Sequence, residues 1–270
     1  MTTSKWSINP AIVAAIVINV AILGLALAWS GDKARMFTLL HEDGIVEWMQ
    51  FLCFTVIAVM LGYVAVDRAT GTPGAPRVNL AVLGIAGVSL VVALAALEEI
   101  SWFQRVLNVA SPEFFVENNR QAETNLHNLA LGNASFHKTV ILKLILVIGL
   151  LHNIVLPILA RTRPGIRRFV ESIGLNLPPL TASIIYIVLV ALSHLLIDHP
   201  RKGELGELFG ATHYLSTAFA AYVIGAGYDS KTLIDNQSDG CKVTVMFIMV
   251  MLFLVFVAWM LTSVNRMAPV

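Results

Sequence analysis

Between Leu97 and Leu129 the chain reads LEEISWFQRVLNVASPEFFVENNRQAETNLHNL, setting Glu98, Glu99, Arg105, Glu123 and His127 directly after a long apolar run. A charge inside an apolar helix costs about 2.5–3.5 kcal/mol on insertion scales, so such groups are expected to face a cavity, a partner or water. Two kinds of chemistry suit these residue types. A carboxylate can act as general base, the role open to Glu98 or Glu123, while the planar fork of Arg105 suits a carboxylate or phosphate head group. Imidazoles with carboxylates also make metal sites that activate water. His127, His194 and His213, with Asp198 completing or orienting the set, are the candidate ligands for zinc or iron. Glu99, Trp102, His199 and Glu207 are further candidates at the same polar mouth. The sequence contains no HExxH, CxxC or GxSxG, so any such ligands would have to converge from separate loops.

The elements that must position these groups are membrane helices. The chain is 57% hydrophobic and 13% charged, with mean hydropathy +0.77, far from the roughly 25% charged residues of soluble domains. Its 270 residues suit one membrane domain without a separate soluble module. Crossing a bilayer takes about 20 apolar residues. Seven segments qualify, near 11–29, 46–66, 78–98, 139–160, 180–197, 208–228 and 243–264, joined by short turn-rich links. The exception is a long, partly helical loop at about 99–138. The expected fold is therefore an all-α bundle of about seven transmembrane helices. The first segment is longer than the 7–15 residues of a signal-peptide core and reads as a retained helix. Cys53 lies within an apolar run and Cys241 just before another, so a disulfide between them is not expected. A net charge of +1 gives no reason to invoke nucleic acid.

An odd number of spans has a consequence for the polar residues. Loops after spans one, three and five lie on one side, and they or the adjoining helix turns hold every histidine except His152: His41, His127, His137, His194, His199 and His213. Most acids lie there too, including Glu42, Asp43, Glu47, Glu98, Glu99, Glu123, Asp198, Glu204 and Glu207. Lysine and arginine are almost evenly divided between the two sides, and the dense RTRPGIRR at 161–168 decides the orientation. It puts the N-terminus in the cytoplasm and the polar mouth outside a cell membrane. Within the long loop, Glu98, Ser101 and Arg105 fall on one helical stripe. Glu117, Arg120, Glu123 and His127 likewise repeat at helical spacing, as in an interfacial or re-entrant helix.

The block EEISWFQR…ETNLHNL resembles a group of bacterial polytopic membrane proteins in which it reads Glu-Glu-Ile-Ser-Trp-Gly-Gln-Arg, followed by Glu-Thr-Asn-Leu-His-Asn. The likeness covers residues 98–129, with Phe103 where that group has glycine. It implies kinship and a multi-pass membrane fold, and no reaction, because no activity is established for the group. The sequence leaves open whether the chain is an enzyme. One reading is a binding, transport or accessory protein with a one-sided Glu/His/Arg cluster at the membrane surface, the bilayer itself and a lipid or lipid-linked ligand as partners. The alternative is a membrane-embedded, metal-dependent hydrolase or transferase acting on such a lipid.

Overall fold

A computed structural model describes residues 9–70, 78–131, 134–224 and 237–265 of the chain. The fold is all-α. The one strand ladder among the described residues pairs Ala130 with Ser135 and Leu131 with Ala134. In chain order the helices are α1 (Pro10–Trp29), α2 (Lys33–Leu40), α3 (Ile45–Thr70), α4 (Leu80–Glu99), α5 (Gln104–Leu107) and α6 (Glu113–Asn118). There follow α7 (Thr139–Thr162), α8 (Pro164–Ser172), α9 (Leu180–Leu196), α10 (Gly203–Ala218) and α11 (Gln237–Asn265).

Five stretches are long and apolar enough to cross a membrane: Pro10–Trp29, Lys33–Thr70, Leu80–Glu99, Thr139–Thr162 and Gly240–Thr262. The segment expected at 180–197 falls on α9, a shorter apolar helix of 17 residues. The one expected at 208–228 falls on α10 and the π-helical turn Phe219–Val223 that prolongs it, and its last residues lie outside the described ones. Local signals start several of these helices. The side chain of Asn9 accepts from the Ala11 amide at 2.8 Å ahead of Pro10, and Asn79 accepts from Val82 at 3.0 Å to open α4.

The core is built around α10, whose Leu205, Leu208, Phe209, Ala211 and Leu215 are all buried. Small residues let its neighbours approach. A Cβ at Gly210 would lie 3.1 Å from the Tyr186 hydroxyl on α9. On its other flank Asn19 of α1 accepts from Thr212 at 2.7 Å and donates to the Phe209 carbonyl at 3.3 Å. The tightest approach is at Gly84 of α4, where a Cβ would meet the Ile173 carbonyl oxygen at 2.1 Å. That contact seats the end of α8, an amphipathic helix with the Arg167–Glu171 pair at 2.8 Å on its polar side, against the bundle.

Helix α7 is packed differently. Its middle is a π-helical turn, Leu151–Val155, just before Pro157, whose missing N–H frees the Asn153 carbonyl from its ordinary partner. Asn153 is buried there, donating to the Tyr214 hydroxyl at 2.5 Å and the Gly149 carbonyl at 2.9 Å. Its Oδ1 is left to accept from His213 Nε2 at 2.9 Å and from Ser183 at 3.2 Å. This polar knot joins α7, α9 and α10 in the bundle interior. Before it, α7 is open, with Ile145 and Ile148 exposed.

The beginnings of α3 and α10 and the end of α4 lie together at one end of the bundle, joined by the contacts described below. Phe219, at the far end of α10, stacks on Phe247, near the start of α11, with ring centroids 3.9 Å apart. Cys241 therefore belongs to the opposite end and is exposed, whereas Cys53 is buried. In sealed vesicles, an impermeant maleimide should reach Cys241 and a Glu117→Cys thiol (in a Cys241→Ser background) from opposite faces. Labelling of both from the same face would contradict this arrangement.

Candidate functional site

The polar end is organised by Arg105. Helix α4 stops at Glu99, and the next residues to carry side chains into the site, Ser101, Trp102 and Phe103, have φ of 48°, 56° and 62°. A run of three left-handed residues, none of them glycine, reverses the chain and carries Arg105 back over the mouth. The left-handed conformation costs roughly 1–2 kcal/mol per L-residue, so hydrogen bonds must hold it. Trp102 donates its indole N–H to Glu98 Oε1 at 2.8 Å. Ser101 donates to Glu123 Oε2 at 2.5 Å. Phe103 packs edge-on against Phe51, with centroids 5.7 Å apart.

Arg105 then bridges three carboxylates. Its Nη1 donates to Glu123 Oε1 at 2.7 Å, and its Nη2 meets Glu47 Oε1 at 2.9 Å and Asp43 Oδ1 at 3.0 Å. Burial works to lower its pKa, but Glu47, Asp43 and Glu123 outweigh burial and push it above its ordinary value, so Arg105 is a permanent cation. Beside it Glu42 accepts from both Arg201 and Gln121. The long loop is thus tied to the α2–α3 corner and to the start of α10.

The long loop itself departs from the helical spacing of its sequence. After the short α5, helix is confined to Glu113–Asn118, so Glu117, Arg120, Glu123 and His127 do not share one helix face. The reason is the pair of buried asparagines, Asn119 and Asn125. Asn119 Oδ1 accepts from the Gln121 and Glu123 amides at 2.9 and 3.3 Å, and its Nδ2 donates to the Asn125 carbonyl at 2.9 Å. Such local bonds offer the backbone an alternative to helix. The Glu98–Ser101–Arg105 stripe is broken in the same way by the left-handed run, and Glu98 and Arg105 take different partners.

Those partners define what each candidate does. Glu98 accepts from Trp102 and from the Leu126 and His127 amides, at 2.6 and 3.3 Å, and its Oε2 lies 4.0 Å from His127 Nδ1. Glu123 accepts from Ser101, from Arg105 and from Asn125 at 3.2 Å. Both proposed bases therefore have their oxygens committed to the loop. The candidate metal ligands are dispersed. His213 is held by Asn153 and stacks on Tyr186 at 4.8 Å. His194 is exposed, with Nδ1 3.0 Å from the Val190 carbonyl, and Asp198 is exposed beyond the helix end. His199 Nδ1 accepts from the Arg201 amide at 3.2 Å; burial, then the Arg201 charge, lower its pKa. Among the described residues no group of three or more His, Cys, Asp or Glu side chains is arranged to hold a metal ion. The side chain of His137 lies outside the described residues.

Beneath Arg105 lies a cavity of ≈ 1110 Å³. Glu98, Glu99, Glu204 and Glu207 line its polar end, and Val88, Val91, Ile145 and Ile148 its flank, while Tyr186, Tyr214 and Tyr222 mark its depth along α9, α10 and the turn beyond. From Glu207 to Tyr222 the axis runs about 22 Å at 1.5 Å per residue. Glu99 and Glu207 have no hydrogen-bond or ion-pair partner among the described residues. The spacing of the sequence signalled neither the cavity nor the Asn153 knot, because both depend on how α7 leans on α9 and α10. Comparisons with protein-family models, with curated proteins and with solved structures return no match for this chain.

Replacing the guanidinium tests this arrangement. Arg105→Met should destabilise the protein by about 3–5 kcal/mol by stranding its carboxylates. Arg105→Lys should recover only part, since one ammonium cannot span all three carboxylates. Thermal unfolding in detergent reads this, and an unchanged midpoint for Arg105→Met would overturn it. At Phe103, glycine relieves a left-handed cost of about 1–2 kcal/mol and forfeits an aromatic contact of about 0.5–1.5 kcal/mol. Phe103→Gly should therefore be close to neutral, and Phe103→Ile clearly destabilising by the same assay; the reverse order would contradict the strain argument.

Proposed function

We propose that this membrane protein binds an amphipathic, lipid-like molecule, with the chain of the ligand along the apolar cavity and its head group at the glutamate-lined mouth. The observation that carries this reading is the cavity itself. Its volume is just above the roughly 300–1,000 Å³ typical of small-molecule sites, and its carboxylates and guanidinium groups gather at one end. Its flank supports entry from the bilayer. Val88 and Val91 of α4 and Ile145 and Ile148 of α7 all line it, yet they remain 41%, 65%, 53% and 61% exposed. Two walls that both line a cavity and face outward leave a gap between them. An aliphatic chain can enter there without crossing the charged mouth, which Arg105 and the long loop cover.

The reading of the chain as a binding, transport or accessory protein is favoured over the hydrolase alternative by the state of the carboxylates. A general base needs a free lone pair aimed at the proton it takes, and Glu98 and Glu123 already accept three hydrogen bonds each. The kinship suggested by the EEISW block is supported by Phe103, at φ 62°, which occupies the position where that group carries glycine, the residue that adopts this conformation at least cost. The basic cluster at 161–168 supports a mouth on the outer face.

Closing the gap should abolish occupancy. A Val91→Trp, Ile145→Trp double variant is expected to retain at least about tenfold less co-purifying lipid, equivalent to about 1.4 kcal/mol, with thermal stability little changed because both positions are exposed. Native mass spectrometry of detergent-washed protein measures the bound fraction. Equal retention by variant and wild type would refute lateral entry.

A further inference from the structure

The cavity's charge balance specifies the head group. Seven glutamates line it against three arginines, so the arrangement is electrostatically unsuited to an anion unless arginine is free to answer it. Arg105 is held by Glu47, Asp43 and Glu123, Arg201 by Glu42, and Arg120 is exposed on the outer loop. The acids divide likewise. Glu98 and Glu123 are satisfied by the loop, and Glu42 and Glu47 by the two arginines, while Glu204 has Arg201 and Gln50 beside it. Glu99, at the last turn of α4, and Glu207, one turn into α10, both line the cavity, near enough for the charge of Glu207 to act on Glu99. Both are half-buried and line that space, and neither has a donor among the described residues.

Carboxylates placed in this way are stabilised by a cation that arrives with the ligand. We propose, resting on the amphiphile reading above, that the cavity selects a long-chain amine, its protonated nitrogen between Glu99 and Glu207 and its alkyl chain running down the Val88–Ile148 wall. A primary amine is a cation at neutral pH, since its ordinary pKa resembles that of lysine, about 10.4. The low-dielectric surroundings strengthen its attraction to the two acids relative to water. An alkyl carboxylate of the same length meets repulsion at the same place, and an alkyl alcohol meets neither. The selectivity therefore comes from two residues, while the affinity common to all three comes from the apolar wall.

Three ligands of one chain length separate these contributions. Native mass spectrometry of the full-length protein in a maltoside detergent, titrated with dodecylamine, 1-dodecanol and dodecanoate, should give the amine at least about tenfold tighter binding than the alcohol, with the carboxylate weakest. The Glu99→Gln, Glu207→Gln double variant should lose the preference for amine and keep its affinity for dodecanol, which also reports that the variant is folded. Equal binding of amine and alcohol by the wild type, or tighter binding of dodecanoate, would overturn the head-group inference and leave the cavity reading standing. An amine preference that survives in the double variant would overturn the assignment to Glu99 and Glu207. Binding of none of the three would instead overturn the amphiphile reading itself.

Discussion

A guanidinium partly withdrawn from water at the end of an apolar bundle is the constraint on which the polar half of this structure depends. Taking such a charge out of solvent costs several kcal/mol unless carboxylates and good geometry answer it. The answer here comes from distant parts of the chain, Asp43 and Glu47 at the head of α3 and Glu123 in the long loop. Satisfying Arg105 therefore requires the loop to fold back over the bundle. It also requires the left-handed turn at Ser101–Phe103, because no straight continuation of α4 would bring residue 105 to that place. Lysine would not serve, since the contact uses two separate nitrogens of a planar fork.

Once Arg105 is satisfied, the acidic residues fall into two groups with different work. Glu98, Glu123, Glu42 and Glu47 are structural and hold the loop and the α2–α3 corner in register. Glu99 and Glu207 are left over, and they face a cavity. Their place beside open space is what the proposed head-group site rests on. A parallel division holds deeper in the bundle. Asn153, His213, Tyr214 and Ser183 satisfy one another and fix the lean of α7, and that lean keeps Ile145 and Ile148 away from α4.

Much of the fold was legible in the sequence because a bilayer imposes a length. Runs such as VTVMFIMVMLFLVFVAWM admit one reading, and alternate loops must share a side, which gathered Glu42, Glu47, Glu98, Glu123 and Glu207 before any geometry was known. The long loop was less legible. Glu117, Arg120, Glu123 and His127 have helical spacing, but Asn119 and Asn125 compete for the same backbone amides and prevail. Glu98 and Arg105 are two turns apart on paper and are separated by three left-handed residues that only tertiary hydrogen bonds stabilise. The histidines were individually conspicuous, yet their partners are the backbone, Asn153 and Glu98, and no spacing rule distinguishes such partners from metal ligands. The cavity had no sequence signature, since it arises from the gap between α4 and α7.

The central claim is that Arg105 holds the entire 100–129 segment closed over the cavity, and amide hydrogen exchange in detergent tests it most directly. In an Arg105→Gln variant, protection is predicted to fall together across Ser101–Leu107 and Asn119–Leu129, including the Leu126 and His127 amides that bond to Glu98, while α1 and the first half of α4 keep theirs. Protection that is unchanged, or lost only next to residue 105, would contradict the account.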